Sequence, residues 1–189
     1  MGCDIHRYVE YKNKFGRWES TDIRGLGHQN YEFFGFLEDG IRYDHDHELY
    51  YIHEPVGFPA DAAFYTIEDY FKKIEDEYAV KGCENYITSE KGKEYSEKWP
   101  YLIKIFSSEE PDKLTRIQNP DWYGATWISL EEFKQIIDSY KKYLINEYPG
   151  EITEVNVDNY TLYIDAIYNF MKTYEDKGLE TRLVYWFDG

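Results

Sequence analysis

Polar and apolar residues alternate from the start of the chain. Over residues 3 to 12, Cys3, Ile5, Arg7, Val9 and Tyr11 fall on one side of an extended backbone and Asp4, His6, Tyr8 and Glu10 on the other, the period-2 pattern of a strand. Asn13-Lys14-Phe15-Gly16 supplies turn residues and Arg17 to Thr21 the returning strand, so the chain is predicted to open with a hairpin. After Gly25 and Gly27 the period changes. Tyr31, Phe34 and Leu37 recur at helical spacing, with Gly40 placed to stop a short helix over 30–38. Residues 43 to 60, with Pro55, Gly57 and Pro59, read as an extended loop.

Thr66-Ile67-Glu68-Asp69 has the form of a capping box ahead of Tyr70, Phe71, Ile74 and Tyr78, which predicts a helix over about 67–79. Ser129-Leu130-Glu131-Glu132 opens a clearer one, whose stripe runs through Leu130, Phe133, Ile136, Ile137, Tyr140 and Leu144 to Pro149-Gly150. Ile164, Ile167, Phe170, Met171 and Tyr174 mark another over about 158–176, ending before Gly178. Arg182 to Phe187 is apolar on nearly every position, as a strand inside a sheet would be. These elements predict an α+β fold: a mixed or antiparallel sheet that includes the N-terminal hairpin and the C-terminal strand, covered by two or three amphipathic helices. One domain over 1–189 is expected. The polar stretch at about 82–120, with its island Trp99-Pro100-Tyr101-Leu102-Ile103, reads as an insertion.

Composition narrows the function classes. Lys and Arg total 21 against 37 Asp and Glu, a net charge of −16. That balance disfavours direct DNA or RNA binding, whose affinity comes mostly from cations on phosphates. Two cysteines, Cys3 and Cys83, do not make a disulfide framework and suit a reducing compartment. With no signal-peptide pattern and no apolar run of membrane-spanning length, a cytoplasmic protein without membrane partners is expected. Aromatic residues make up 20% of the chain, so large rings must fill the core, and some of them could stack on a base.

Candidate chemistry gathers in two places. On the first strand Asp4, His6, Tyr8 and Glu10 share a face, where a carboxylate beside a histidine can fix its tautomer and raise its basicity, or both can hold a metal. Asp44-His45-Asp46-His47-Glu48, with His53 and Glu54, is the densest set of metal-ligand types, which leaves room for a divalent metal although the residues lack the thiolates of a structural zinc site. Cys3 and His6 alternate to opposite faces, so a Cys–His nucleophile is not expected and Cys3 reads as a buried thiol. Gly25-Leu26-Gly27-His28 lacks the lysine of a phosphate-binding loop. No catalytic residue is assigned, and no cofactor is expected beyond that metal.

Met1-Gly2-Cys3-Asp4-Ile5-His6, followed by Glu10, resembles the opening of a family of largely uncharacterised, mostly phage-encoded proteins. Later blocks keep that family's order. Asn30 to Phe34 with Gly40-Ile41-Arg42 resembles its Tyr-x-Leu-Phe and Gly-Val-Arg segments, Pro55 to Asp61 its Pro-Arg-Gly-Leu-Pro-x-Asp, and Thr126 to Glu132 its Ser-Trp-Leu-Thr-Leu-x-Glu. Arg182 to Asp188 is similar to the ending of longer members. Val56 stands where the family usually has Arg, and Tyr123-Gly124-Ala125 where it often has His-Ser. The resemblance implies a phage setting in a bacterial host cytosol and a pocket formed by Asp4, His6, Asn30, Tyr31, Arg42 and Trp127.

The leading expectation is a counter-defence accessory protein that binds or sequesters a small nucleotide-like anion. Arg42 would pair with phosphate and Tyr31 or Trp127 would stack on the base, with Asp4, His6, Glu10 and Asn30 lining the site. Metal-assisted or acid/base hydrolysis of such a nucleotide by Asp4, His6 and Glu10 is the enzymatic alternative. A third is an acidic mimic of DNA that blocks a defence protein, though Lys72-Lys73 and Lys91-Gly92-Lys93 interrupt a continuous negative stripe. A homo-oligomer remains open.

Overall fold

The computed structural model describes residues 3–23, 30–38, 44–73, 116–118 and 122–188. The chain clusters into two compact units, one of Met1–Ala63 with Trp122–Gly189 and one of Phe64–Asp121. The first has an α+β fold around a four-stranded antiparallel sheet. Strand β1 (Asp4–Lys12) pairs with β2 (Trp18–Asp22) as the expected hairpin, turned at Gly16 with φ +74°. On its other edge β1 pairs with β6 (Thr181–Asp188), which in turn pairs with β5 (Trp122–Ser129), giving the order β2-β1-β6-β5. The apolar C-terminal strand is therefore interior, as its composition requires. Strand β5 was not legible from hydrophobic pattern, because a bulge between Tyr123 and Thr126 breaks its alternation.

Among the described residues this unit has three helices: α1 (Tyr31–Leu37), α3 (Leu130–Glu147) and α4 (Asp158–Glu175). Asn30 caps α1 by accepting from Phe33 N at 3.0 Å. Ser129 and Glu132 close a reciprocal capping box on α3, which satisfies two backbone donors that the first turn leaves without helical partners. Phe133, Ile136, Ile137 and Tyr140 of α3 and Ile164, Ile167 and Met171 of α4 are buried against Val9, Leu183, Tyr185 and Phe187 on one face of the sheet. Each such side chain contributes roughly 1.5–3 kcal/mol by leaving water. Two buried phenols find partners, Tyr185 donating to Leu37 O at 2.8 Å and Tyr140 accepting from Asn30 Nδ2 at 2.9 Å.

The second unit contains α2 (Phe64–Tyr70), followed directly by β3 (Phe71–Lys73), which pairs antiparallel with β4 (Arg116–Gln118). The helix expected over 67–79 is corrected here. It starts three residues earlier and stops at Tyr70, because Phe71–Lys73 take their backbone partners from a distant strand that no local period reveals. Residues 74–79, most of the expected 82–120 insertion, and the Gly40 helix stop lie outside the described residues. No described helix is long and apolar enough to cross a membrane.

Candidate functional site

Strand alternation sends Cys3, Ile5, Arg7 and Val9 to the helix-covered face and Asp4, His6, Tyr8 and Glu10 to the second face. The register carries the same division to the neighbouring strands. Trp18 of β2, Arg182, Val184 and Trp186 of β6, and Trp127 of β5 join the second face. The loop from Pro55 to Ala63 reaches it as well: Phe58 packs edge-on against Trp186, and Ala63 N donates to Glu10 Oε1 at 2.7 Å.

At one end of this face a cleft of about 380 Å³ opens between Trp18 and Trp127. Its other lining residues are Lys12, Pro59, Ala60, Asp61, Ser129, Glu175, Glu180, Thr181 and Arg182, all from the first unit. Arg182 organises it. Its guanidinium carbon lies 3.9 Å from the ring centroid of Trp18 and 5.7 Å from that of Trp127, distances at which ring faces attract a cation. Its Nε donates to Glu10 Oε2 at 2.7 Å and its Nη1 to Asp61 Oδ1 at 2.8 Å. Glu10 is fully buried, whereas the Asp61 side chain is 66% exposed. Partial burial pushes the Asp61 carboxyl up, but hydrogen bonds from Arg182 and Trp18 Nε1 and the charge of Arg182 outweigh it and hold it below the usual carboxylate range. At the rim Lys12 pairs with Glu180 at 3.2 Å, and Glu175 accepts from both Thr181 N and Oγ1 at 2.9 Å.

The other end of the face carries a histidine in an aromatic setting. His6 Nε2 lies 2.9 Å from Asp188 Oδ2, its ring stacks parallel to Trp186 at 5.3 Å, and Trp122 tilts against it at 4.8 Å. Asp4 sits directly across the ladder from Asp188. Four residue steps along the strand, about 13 Å of extended chain, lie between His6 and Glu10, so the pair and the cleft are neighbours on one face rather than one constellation.

The residues expected to form one pocket are thus divided. Asp4, His6, Glu10 and Trp127 share the second face. Asn30 and Tyr31 lie on the helix side, Asn30 committed to the α1 cap and to Tyr140, and Tyr31 packed on Phe34 with its hydroxyl 3.4 Å from Cys3 N. Arg42 lies outside the described residues. Cys3 is buried, with its thiol 3.2 Å from the Tyr123 hydroxyl and on the face opposite His6.

The Asp/His loop does not converge. The His45 ring packs 4.0 Å from Phe36 and its Nε2 bonds Glu32 O at 3.0 Å, His47 is exposed, and Asp46 caps a turn through Glu48 N. His53 is buried beside Thr126 Oγ1 at 3.2 Å, and burial, only partly opposed by Glu132 and Glu54, lowers its pKa. Among the described residues no group of three or more His, Cys, Asp or Glu side chains could hold a metal ion. Sequence reasoning missed Trp18, Asp61 and Arg182. The available signal was the single cation in a strand read as buried, since a buried guanidinium requires a carboxylate partner.

No family model, no curated protein and no solved structure matches the chain.

Proposed function

We propose that the protein binds, and by binding sequesters, a small nucleotide-like ligand in the Trp18–Trp127 cleft. What supports this reading is a concave site lined by two indoles, Trp18 packed closest on Arg182 and Trp127, half-buried, farther from it. An indole face accepts any base, and stacking contributes about 1–3 kcal/mol per base. In the phage setting that the opening hexamer's resemblance implies, removal of a host nucleotide signal is how such binding would serve counter-defence.

The test is thermal shift with a panel of cyclic, linear and ADP-ribose-type nucleotides, followed by heat release and mass analysis of the bound species. A shift that disappears in Trp127→Ala and survives in Trp127→Phe is expected. Absence of a shift with every compound refutes the reading. Hydrolysis is the second reading, favoured by the His6–Asp188 pair, in which the carboxylate can orient the imidazole. Glu10 drops out of that mechanism, since both its oxygens are committed to Arg182 and Ala63. Recovery of intact nucleotide after long incubation with Mg²⁺, Mn²⁺ or Zn²⁺ excludes hydrolysis; product that is lost in His6→Ala supports it.

A further inference from the structure

The charges that face the cleft are unequal in number. Lys12 and Arg182 are its cations; Asp61, Glu175 and Glu180 are its carboxylates, and Glu10 lies directly beneath Arg182. Arg182 is turned toward Glu10 and Asp61, so its charge is matched inside the protein. Lys12 is the remaining cation, and Glu180 already pairs with it. A phosphate placed in the cleft would meet no unmatched positive charge and several negative ones. At about 4 Å each such like-charge contact weakens binding by roughly fivefold even at the dielectric of water, and by more in a half-closed cleft.

Resting on the proposed nucleotide-binding reading, we infer that the cleft takes the nucleoside end of the ligand and leaves its phosphates outside. The base stacks on Trp127, and the ribose hydroxyls donate to the carboxylate of Glu180, whose side chain is 61% exposed beside Lys12. Carboxylates serve this purpose well, because an ionised oxygen accepts from a sugar hydroxyl in a charge-assisted hydrogen bond. The cleft therefore discriminates by the sugar rather than by phosphate number.

Binding of adenosine, guanosine, cytidine and uridine is measured by calorimetry at low salt beside their 5′-monophosphates and 2′-deoxynucleosides, with wild type, Glu180→Gln and Trp127→Ala. For the base that binds, the nucleoside is expected to bind at least as tightly as its 5′-monophosphate. Loss of the 2′-hydroxyl weakens binding about tenfold, the worth of one charge-assisted hydrogen bond. Glu180→Gln narrows both differences, and its exposed position leaves folding intact. A 5′-monophosphate that binds tenfold tighter than its nucleoside in a Trp127-dependent manner overturns the inference while the stacking reading stands. Absence of Trp127-dependent binding for all twelve compounds overturns the stacking reading itself.

Discussion

Removal of the Glu10 carboxylate should be the most damaging single change on the second face of the sheet. Glu10 is fully buried and holds Arg182, whose side chain is 5% exposed, through contacts of 2.7 Å to Nε and Nη2, while its other oxygen accepts Ala63 N. Truncation to alanine leaves a buried guanidinium with only the rim carboxylate of Asp61, and leaves a backbone donor without its acceptor. Loss of one partner of a buried pair costs about 3–5 kcal/mol. Glu10→Gln keeps the volume and an acceptor and should fall near the lower end of that range. Asp61→Ala removes a partner that is two-thirds exposed and should cost less than about 1 kcal/mol. Urea unfolding followed by tryptophan fluorescence measures all three, since Trp18 and Trp127 flank Arg182. The double change Glu10→Ala with Arg182→Met should be more stable than Glu10→Ala alone, because it removes the stranded charge. Equal losses for Glu10→Ala and Asp61→Ala, or no recovery in the double variant, would refute the reasoning.

Three further outcomes are expected. Burial depresses the His53 pKa, so its neutral form stabilises the fold above the unfolded value near 6.5, and that contribution is lost as pH falls through the folded value; thermal melts from pH 7.5 to 5 should show the loss, and His53→Gln should remove it. Gly124→Ala should cost more than the roughly 1–2 kcal/mol of its left-handed backbone, since φ is +62° and a Cβ there runs into Glu38 Oε2 and meets Phe187 at 3.0 Å; Glu38→Ala in the same chain should restore part of the loss in chemical denaturation. Ser129→Ala opens the capping box of α3 and should cost about 1 kcal/mol by the same measurement, with Ser129→Asp losing much less.

Legibility followed the range of the interactions. The opening hairpin, α3, α4 and the interior position of the last strand were visible because each is specified by a local period together with a cap or turn within a few residues, as Ser129 and Glu132 are. Helix α2 was misjudged at its end because Phe71–Lys73 answer to Arg116–Gln118, which no window centred on Thr66 contains. The candidate site failed for a related reason. Alternation placed Asp4, His6 and Glu10 on one face correctly, but it could not say that Asn30 and Tyr31 would be spent on the opposite side as a helix cap and a packing ring. Nor could it say that His45 and His53 would be buried individually, each with its own backbone or hydroxyl partner, instead of meeting at a metal.

The Glu10–Arg182 pair also explains why the cleft exists at all. The two residues stand directly opposite each other in the β1–β6 ladder, and Arg182 faces Ser129 across the β6–β5 ladder. A slip of one residue between β1 and β6 would set Arg182 against Val9 or Tyr11 and send its cation to the helix-covered face, away from Glu10 and Asp61. Slippage is therefore opposed by a charge penalty as well as by the misplacement of Leu183, Tyr185 and Phe187. With the register fixed, Trp18 follows from its place opposite Lys12, and Trp127 from its place opposite Val184, two residues along from Arg182. The two indoles thereby reach the same guanidinium from strands at opposite edges of the sheet. A buried ion pair of this kind need not add net stability over a well-packed apolar pair; its effect here is to specify which side chains meet, and the aromatic cleft is the consequence.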